Sequence, residues 1–550
     1  MRMKKSKIII LALLLCAFQN VGTAFTDPYP KNPKIDALNY TFEITLSDET
    51  DLIIMNATID VRFLAVGVKE LRLDLVKKSA ALDGKGMTVS AVNSNGKTVS
   101  FRHENDAVFI VLPAPSKKNQ RMQFTISYSG IPATGLKIAP NKHGDRTFFS
   151  DNWPNRGRNW LSTIDHPSDK SKCEFIVTAP DHYQVVSNGL KVEETVLGDG
   201  NRLTHWRQGV PIASWLYVLG VAEFAVQQVD DFDGKAIETW VYRQDRDAGF
   251  YDFAEPTKKV LEFYSDYVGP FSYERLANIQ SNSVGGGMEA ASAILYGDNS
   301  VTGTRSLRWR NVVIHEIAHQ WFGNAVTEYD WDDVWLSEGF ATYFTQLFIE
   351  HEYGRDEFIA GMYSSKKRID DFSAKNPDYT IVHNNLADVK DVVTGQIYQK
   401  GSWTLHMLRG KIGTDNFWKG IKSYYAEFQN ANATTGDFIR HMEEASGQDL
   451  EQFFNQWLHT GATLKYSGNW SYNKKTSNVE IKIEQSTTNN QVFEMPLQIG
   501  IEMEGKPSQI ETVQVDKKTN TYSIKVTEAP KAVVLDPNTW ILVDIDFKKK

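Results

Sequence analysis

The chain has 550 residues, 60 Lys plus Arg against 68 Asp plus Glu for a net charge of −8, 41% hydrophobic and 23% charged residues, and two cysteines. At about 150 residues per domain this length predicts three or four domains, each able to bury a core, and the composition excludes a disordered chain or a disulfide-stapled miniature. With no basic run inside the folded part, nucleic acid is not an expected partner.

Arg2, Lys4, Lys5 and Lys7 precede an apolar run from Ile8 to Phe18 and the small residues Gly22, Thr23 and Ala24. That order predicts a signal peptide over 1–24 and an exported protein, periplasmic or secreted. The alternative of a membrane anchor needs roughly 20 apolar residues, more than this run supplies, so no stable membrane insertion is expected. Cys16 as a lipoprotein cysteine is disfavoured by Leu15, where a small residue is preferred. Cleavage near Ala24 leaves Cys173 alone, so no internal disulfide is expected.

Period-two alternation then takes over. Tyr40, Phe42, Ile44 and Leu46, then Ala57, Ile59, Val61, Phe63 and Ala65, read as inward faces of half-buried strands, giving an N-terminal β domain over 25–232. Near Pro256 the period becomes helical, with Val260, Leu261, Tyr264, Tyr267 and Val268 on one face. The helical region continues to about Thr460. Its last element starts near Asp449, a candidate N-cap, and carries Phe453, Phe454 and Trp457, which sets a mainly helical domain over 233–461. Alternation returns with Val479, Ile481 and Ile483, then Leu497, Ile499, Ile501 and Met503, then Val513 and Val515, predicting a β domain over 462–550. Trp470, Tyr472 and Trp540 are read as core of that domain rather than as a binding surface. The fold class expected is multidomain α+β.

His315-Glu316-Ile317-Ala318-His319 sets two imidazoles at i and i+4, so on a helix both rings leave one face about a turn apart and can share one zinc ion. The pentad alone is suggestive; two solvated histidines on a surface helix would look the same. Zinc needs a third protein ligand and an open position, and Glu338 follows in Trp335-Leu336-Ser337-Glu338-Gly339 after eighteen intervening residues. That stretch suffices to end one helix, cross Gly323 and Asn324, and enter a second. A carboxylate in so apolar a helix costs several kcal/mol if buried unpaired, and a metal supplies its partner.

Over these residues the chain resembles the zinc aminopeptidases of the aminopeptidase N type, a gluzincin family that also includes leukotriene hydrolase. His315 to Thr327 reads HEIAHQWFGNAVT and the segment around Glu338 reads WLSEGFATYF, both close to the family's signatures. The likeness extends to Asn188-Gly189, to Gly286-Gly287-Met288-Glu289, and to Tyr398-Gln399-Lys400-Gly401. It implies a saddle-like N-terminal β domain, a thermolysin-like catalytic domain and a C-terminal β-sandwich. Many members carry a large helical domain where the segment after Gly461 here reads as β, from which a more open active site is expected.

The resemblance implies one Zn2+ held by His315, His319 and Glu338, lowering the pKa of its water toward about 7. Glu316, beside a ligand but not one itself, is the expected general base that then passes the proton to the leaving amine. Tyr398, from the family's YxKG motif, is the expected donor to the oxyanion. Glu289 is the expected anchor for a free α-ammonium group. Gly286, Gly287 and Met288, with Gly285, form the segment a peptide would pair with as an added strand; a triple glycine by itself is more often a loop.

Two departures bear on specificity. Ala290 stands where the family has Asn, and Trp153 aligns with a second amine anchor that is usually Glu or Gln; Asp151 is the candidate replacement, against the ordinary role of such residues in turns. The function expected is removal of N-terminal residues from peptides with a free N-terminus. The alternatives are a zinc hydrolase of relaxed specificity, acting as an endopeptidase or on an epoxide, and a non-catalytic peptide-binding protein, which would be expected to lack a ligand or the base. Nothing in the sequence sets the oligomeric state or excludes another divalent ion at a His, His, Glu site.

Overall fold

The computed structural model describes residues 27–383, 386 and 388–550; the segment 1–24 and Cys16 lie outside the described residues. The architecture is a β-rich N-terminal part, a helical middle and a β-rich C-terminal part.

Alternation builds the first part. An eight-stranded sheet has Ile35–Thr45 at its centre, antiparallel to Ile53–Phe63 and parallel to Lys170–Pro180. In Ile53–Phe63 every odd-numbered residue is buried, while the even-numbered ones are partly or fully exposed. Ladder pairing stops at Phe63, so Ala65 is only half-buried and does not continue that face. A four-stranded sheet (136–140, 146–150, 184–187, 219–222) and a three-stranded one (70–74, 101–104, 107–111) complete this part. Cys173 is buried with a free thiol.

The middle part starts from a five-stranded sheet ordered Phe224–Phe232, Lys235–Tyr242, Leu276–Ser281, Ala293–Gly297 and, at its edge, Gly287–Met288. Asp233 occupies the turn between the first two strands, with φ 51°, so the change of period near Asp233 falls inside a hairpin of this sheet. Among the described residues the helices are α1 (Arg246–Phe253), α2 (Thr257–Tyr267), α3 (Leu307–Ala318), α4 (Trp335–Tyr353), α5 (Arg355–Ser373), α6 (Gly395–Ile412), α7 (Thr414–Phe428), α8 (Thr435–Ser446) and α9 (Glu451–Leu458). Helix α2 begins directly after Pro256 and buries Val260, Leu261 and Tyr264. Helix α4 is apolar nearly all round and buries thirteen of its nineteen residues, as a central core helix must. At α9 the N-cap is Leu450, without a side-chain cap; the expected cap, Asp449, stands one residue earlier, where its carboxylate accepts from the Glu451 N–H.

The C-terminal part holds a four-stranded sheet (464–473, 478–487, 519–525, 544–549) and a three-stranded one (495–502, 509–515, 532–535). Val479, Ile481, Ile483, Leu497, Ile499 and Ile501 are all buried. Trp470 is buried in this part, but Trp540 stacks on His406 of α6, ring centroids 4.8 Å apart, and covers Gly410, where a Cβ would come within 2.8 Å of the indole. It is a contact between parts rather than a core residue of one. No described helix is long and apolar enough to cross a membrane.

Candidate active site

Helix α3 presents Arg308, Asn311, Val312 and His315 to one cleft, the i, i+3, i+4, i+7 spacing of a single face, and His319, the residue that caps its C-terminus, follows four residues after His315. His315 Nε2 and His319 Nε2 stand 3.1 Å apart. Glu338 Oε2, from the first turn of α4, lies 3.4 Å from the former and 3.2 Å from the latter. Donors held by one tetrahedral zinc at about 2.0–2.1 Å are separated by about 3.3 Å. Glu338 Oε2 is buried and accepts no hydrogen bond among the described residues, and it lies within 3.4 Å of both ring nitrogens. The residues therefore fit a zinc ion.

The supporting contacts favour the same arrangement. His319 Nδ1 is 3.1 Å from both the Phe322 carbonyl and the Ser337 hydroxyl, which leaves Nε2 as the free ring nitrogen. Gly323 allows the turn between α3 and α4 at φ 110°; a Cβ there would sit 2.3 Å from Ser337 Oγ. Tyr398 of α6 donates to Glu338 Oε1 at 2.7 Å, and its ring lies nearly parallel to that of His315.

Glu316 and Glu289 face the same cavity, both buried. Burial raises the Glu289 carboxyl to about 7, and burial together with the Glu289 charge pushes Glu316 up as well. Burial would also raise Glu338, but the two imidazoles hold it down to about 2. Desolvation opposes a charge on His319, yet Glu289, Glu338 and Glu316 keep its pKa up at about 10. Among the described residues Glu289 Oε1 has no hydrogen-bond partner, and it stands 3.9 Å from His319 Nε2. Glu289, Glu316 and His319 form a second, looser cluster of metal-ligand types that shares His319 with the first. Gly287 makes room for Glu316: a Cβ on Gly287 would fall 2.3 Å from its carboxyl group. Gly285 and Gly286 face open space, and among the described residues the edge strand Gly287–Met288 pairs only with Ala293–Gly297. The cleft encloses about 850 Å³ and also meets Asp151, Trp153 and Arg156 of the N-terminal part.

Residues 253–457 match the Peptidase family M1 domain and residues 28–216 the Peptidase M1 N-terminal domain, together about seven-tenths of the chain. The chain belongs to peptidase family M1. Similar curated proteins include glutamyl aminopeptidase of Mus musculus, 27% identical over 320 residues covering 56% of this chain and 34% of that protein. Glutamyl aminopeptidase of Homo sapiens is 29% identical over 56% of this chain and 33% of its own length. A probable aminopeptidase 1 of Saccharolobus solfataricus is 26% identical over 71% and 51%. The matches thus span about a third to a half of the length of these relatives.

In this M1 chain several site-building residues come from outside the metal motif. Asn188 Nδ2 donates to the Ala291 carbonyl at 2.7 Å, and the Gly189 N–H donates to Ser292 Oγ at 2.8 Å, so the N-terminal part clamps the backbone just after Glu289. Gly189 is at φ 72°, with the Arg207 carbonyl 2.0 Å from where a Cβ would stand. From the other side Gln320 and Asn324 donate to the Glu289 carbonyl at 3.1 and 2.6 Å. Lys170 Nζ reaches across to the carbonyls of Asn324 and Ala325 and to Thr327 Oγ1, at 2.8–2.9 Å. Gln320 and Asn324 lie within the M1 signature and were open to a reading of it; nothing in the sequence singles out Lys170. Asp151 is ion-paired with Arg156, and Ala290 is buried.

Helices α4 and α6 cross at a glycine pair. A Cβ on Gly339 or Gly401 would stand 3.0 Å from the Cα of the other. Gly339 follows Glu338 and Gly401 is three residues past Tyr398, so the backbone approach seats the tyrosine hydroxyl on the glutamate.

Proposed function

We propose that this protein is a zinc aminopeptidase that hydrolyses the first peptide bond of peptides with a free N-terminus. The observation that carries the proposal is the convergence of His315, His319 and Glu338 within 3.1–3.4 Å in a cleft that also holds Glu289, a buried carboxylate with an unpartnered oxygen. M1 membership and the aminopeptidase names of the similar proteins support it. The architecture is read as a saddle-like β domain, a thermolysin-like catalytic domain and a β-sandwich, and the protein as exported.

His315, His319 and Glu338 would hold the ion; when bound, zinc supplies Lewis acidity and a water reactive at neutral pH. Glu289 accepts the substrate α-ammonium, whose charge answers the oxygen of this buried carboxylate that has no hydrogen-bond partner among the described residues. The substrate backbone adds to the open edge of Gly286, Gly287 and Met288, where missing side chains permit close approach. Glu316, with a pKa raised by burial, takes the water's proton and returns it to the departing amine nitrogen. Tyr398 turns its hydroxyl from Glu338 toward the oxygen on which charge develops.

The test compares one short peptide with a free N-terminus and the same peptide N-acetylated, each with and without a zinc chelator. Chelator-sensitive release of the first residue from the free peptide alone is expected, and Glu316→Gln should keep bound metal while losing turnover. Equal cleavage of the acetylated peptide, or full activity in Glu316→Gln, would overturn the reading.

A further inference from the structure

Glu289 heads a short segment that is held carbonyl by carbonyl. The Glu289 carbonyl accepts from Gln320 and Asn324, that of Ala290 from the Ala293 N–H, that of Ala291 from Asn188 Nδ2 and that of Ser292 from the Ala277 N–H. Ser292 is buried and stands at φ 64°, the left-handed region that a residue with a Cβ keeps only where its surroundings hold it there. Its hydroxyl accepts from the Gly189 N–H at 2.8 Å. Two of these grips therefore come from Asn188 and Gly189, the turn between strands Gln184–Ser187 and Leu190–Val196 of the N-terminal part.

Arg275, the residue before strand Leu276–Ser281 of the middle part, reaches the same turn. Its Nε and Nη2 donate to the carbonyls of Gly189 and Ser187, both at 2.6 Å, and Nη1 donates to Glu238 Oε2 at 3.0 Å. The guanidinium lies over the Trp206 ring, 4.5 Å from its centroid. Arg275 is 2% exposed and is not one of the residues that line the cleft. Its planar fork answers two carbonyls two residues apart, which a single ammonium in the same place cannot copy. Asn188 has further bonds to the Leu216 carbonyl and the Val218 N–H, whereas Gly189 has no side chain to anchor it and depends on backbone contacts, the Arg275 bond among them. Ala277, two residues on from Arg275, holds the Ser292 carbonyl, so one strand grips the segment both directly and through the turn.

We propose that Arg275 is a positioning residue for Glu289. By fixing the turn from Ser187 to Gly189 it holds Ser292 and Ala291 in place, so recognition of the substrate α-ammonium depends on a guanidinium that never meets substrate. The inference rests on the aminopeptidase reading and extends it from the carboxylate to the contacts that aim it.

The experiment titrates the zinc-loaded full chain by calorimetry with alanine hydroxamate and with propionohydroxamate, which share a metal-binding head and differ by the α-amino group. A Kd is a property of the folded molecule, so a variant that merely loses stability keeps both values. The wild type should bind the amine-bearing compound about ten- to a hundredfold more tightly. Arg275→Lys, which keeps the charge and loses the fork, should weaken alanine hydroxamate about tenfold and propionohydroxamate less than about twofold. With alanine p-nitroanilide the loss should fall on KM more than on kcat. Ser292→Ala removes the hydroxyl that receives Gly189 and should show the same selective loss, and the double variant should lose no more than the larger single one. Should Arg275→Lys fail to fold, Ser292→Ala decides. A lower melting temperature with both Kd values unchanged, or equal weakening of the two hydroxamates, would leave Arg275 a purely structural role and overturn the inference. Equal binding of the two compounds by the wild type, or no hydrolysis of the anilide, would instead overturn the aminopeptidase reading beneath it.

Discussion

At Gly287 the absent side chain leaves the space that the Glu316 carboxyl fills. Gly287→Ala is therefore expected to displace the Glu316 carboxyl, the proposed base, rather than unfold the protein, lowering kcat about a hundredfold with little change in melting temperature, as steady-state kinetics and a thermal scan would register. Tyr398→Phe removes one hydroxyl and its bond to Glu338. A fall in kcat of about a hundred- to a thousandfold with KM nearly constant is expected, which initial rates over a substrate series would check. At this scale the candidate site was legible where chemistry forces spacing: two imidazoles one turn apart, then a carboxylate in an apolar helix. Lys170 was not legible, because a lysine that donates to backbone carbonyls contacts atoms every residue possesses.

Between elements, the α4–α6 crossing sets the position of Tyr398. Gly401→Ala inserts a methyl group against Gly339 Cα at 3.0 Å, and overpacking of this kind costs about 1–3 kcal/mol. A lower melting temperature together with reduced kcat is expected, whereas Gly436→Ala, with only Thr434 Oγ1 at 3.7 Å from the new methyl, should leave both nearly unchanged. Periodicity disclosed which segments are strands and helices because burial acts on one face at a time. It could not show that Asp233 lies within a hairpin, since both flanking strands belong to a sheet whose remaining strands follow later in the chain. Nor could it tell Trp540 from a core residue: an aromatic ring between two parts is as well buried by its partner's surface as by its own.

Over the whole molecule, the contact of α6 with the C-terminal part buries a histidine that is expected to tie stability to pH. His406 donates from Nε2 to the Thr539 carbonyl at 2.8 Å, and burial lowers its pKa to about 3, against about 6.5 in an unfolded chain. Between those values the unfolded state binds more protons, so stability rises with pH across that window. His406 thus contributes stability that is complete above about pH 6.5 and is lost as pH falls toward about 3, at most about 1.4 kcal/mol per unit. Unfolding midpoints from pH 4 to 7 should fall less steeply on acidification in His406→Gln than in the wild type.

Asn188 and Gly189 give the clamp on the Glu289 segment a thermodynamic reach beyond the cleft. Because the turn at Asn188 and Gly189 of the N-terminal part holds the backbone just after Glu289 in the middle part, docking of the two parts and assembly of the candidate site are expected to be coupled. Any inhibitor that binds only the assembled cleft must, by mass action, oppose undocking as well; at a hundred times its Kd it adds about 2.7 kcal/mol. Slowed amide hydrogen exchange in Lys170–Pro180, a strand of the N-terminal sheet, would register occupancy of a cleft it lines with none of its own side chains.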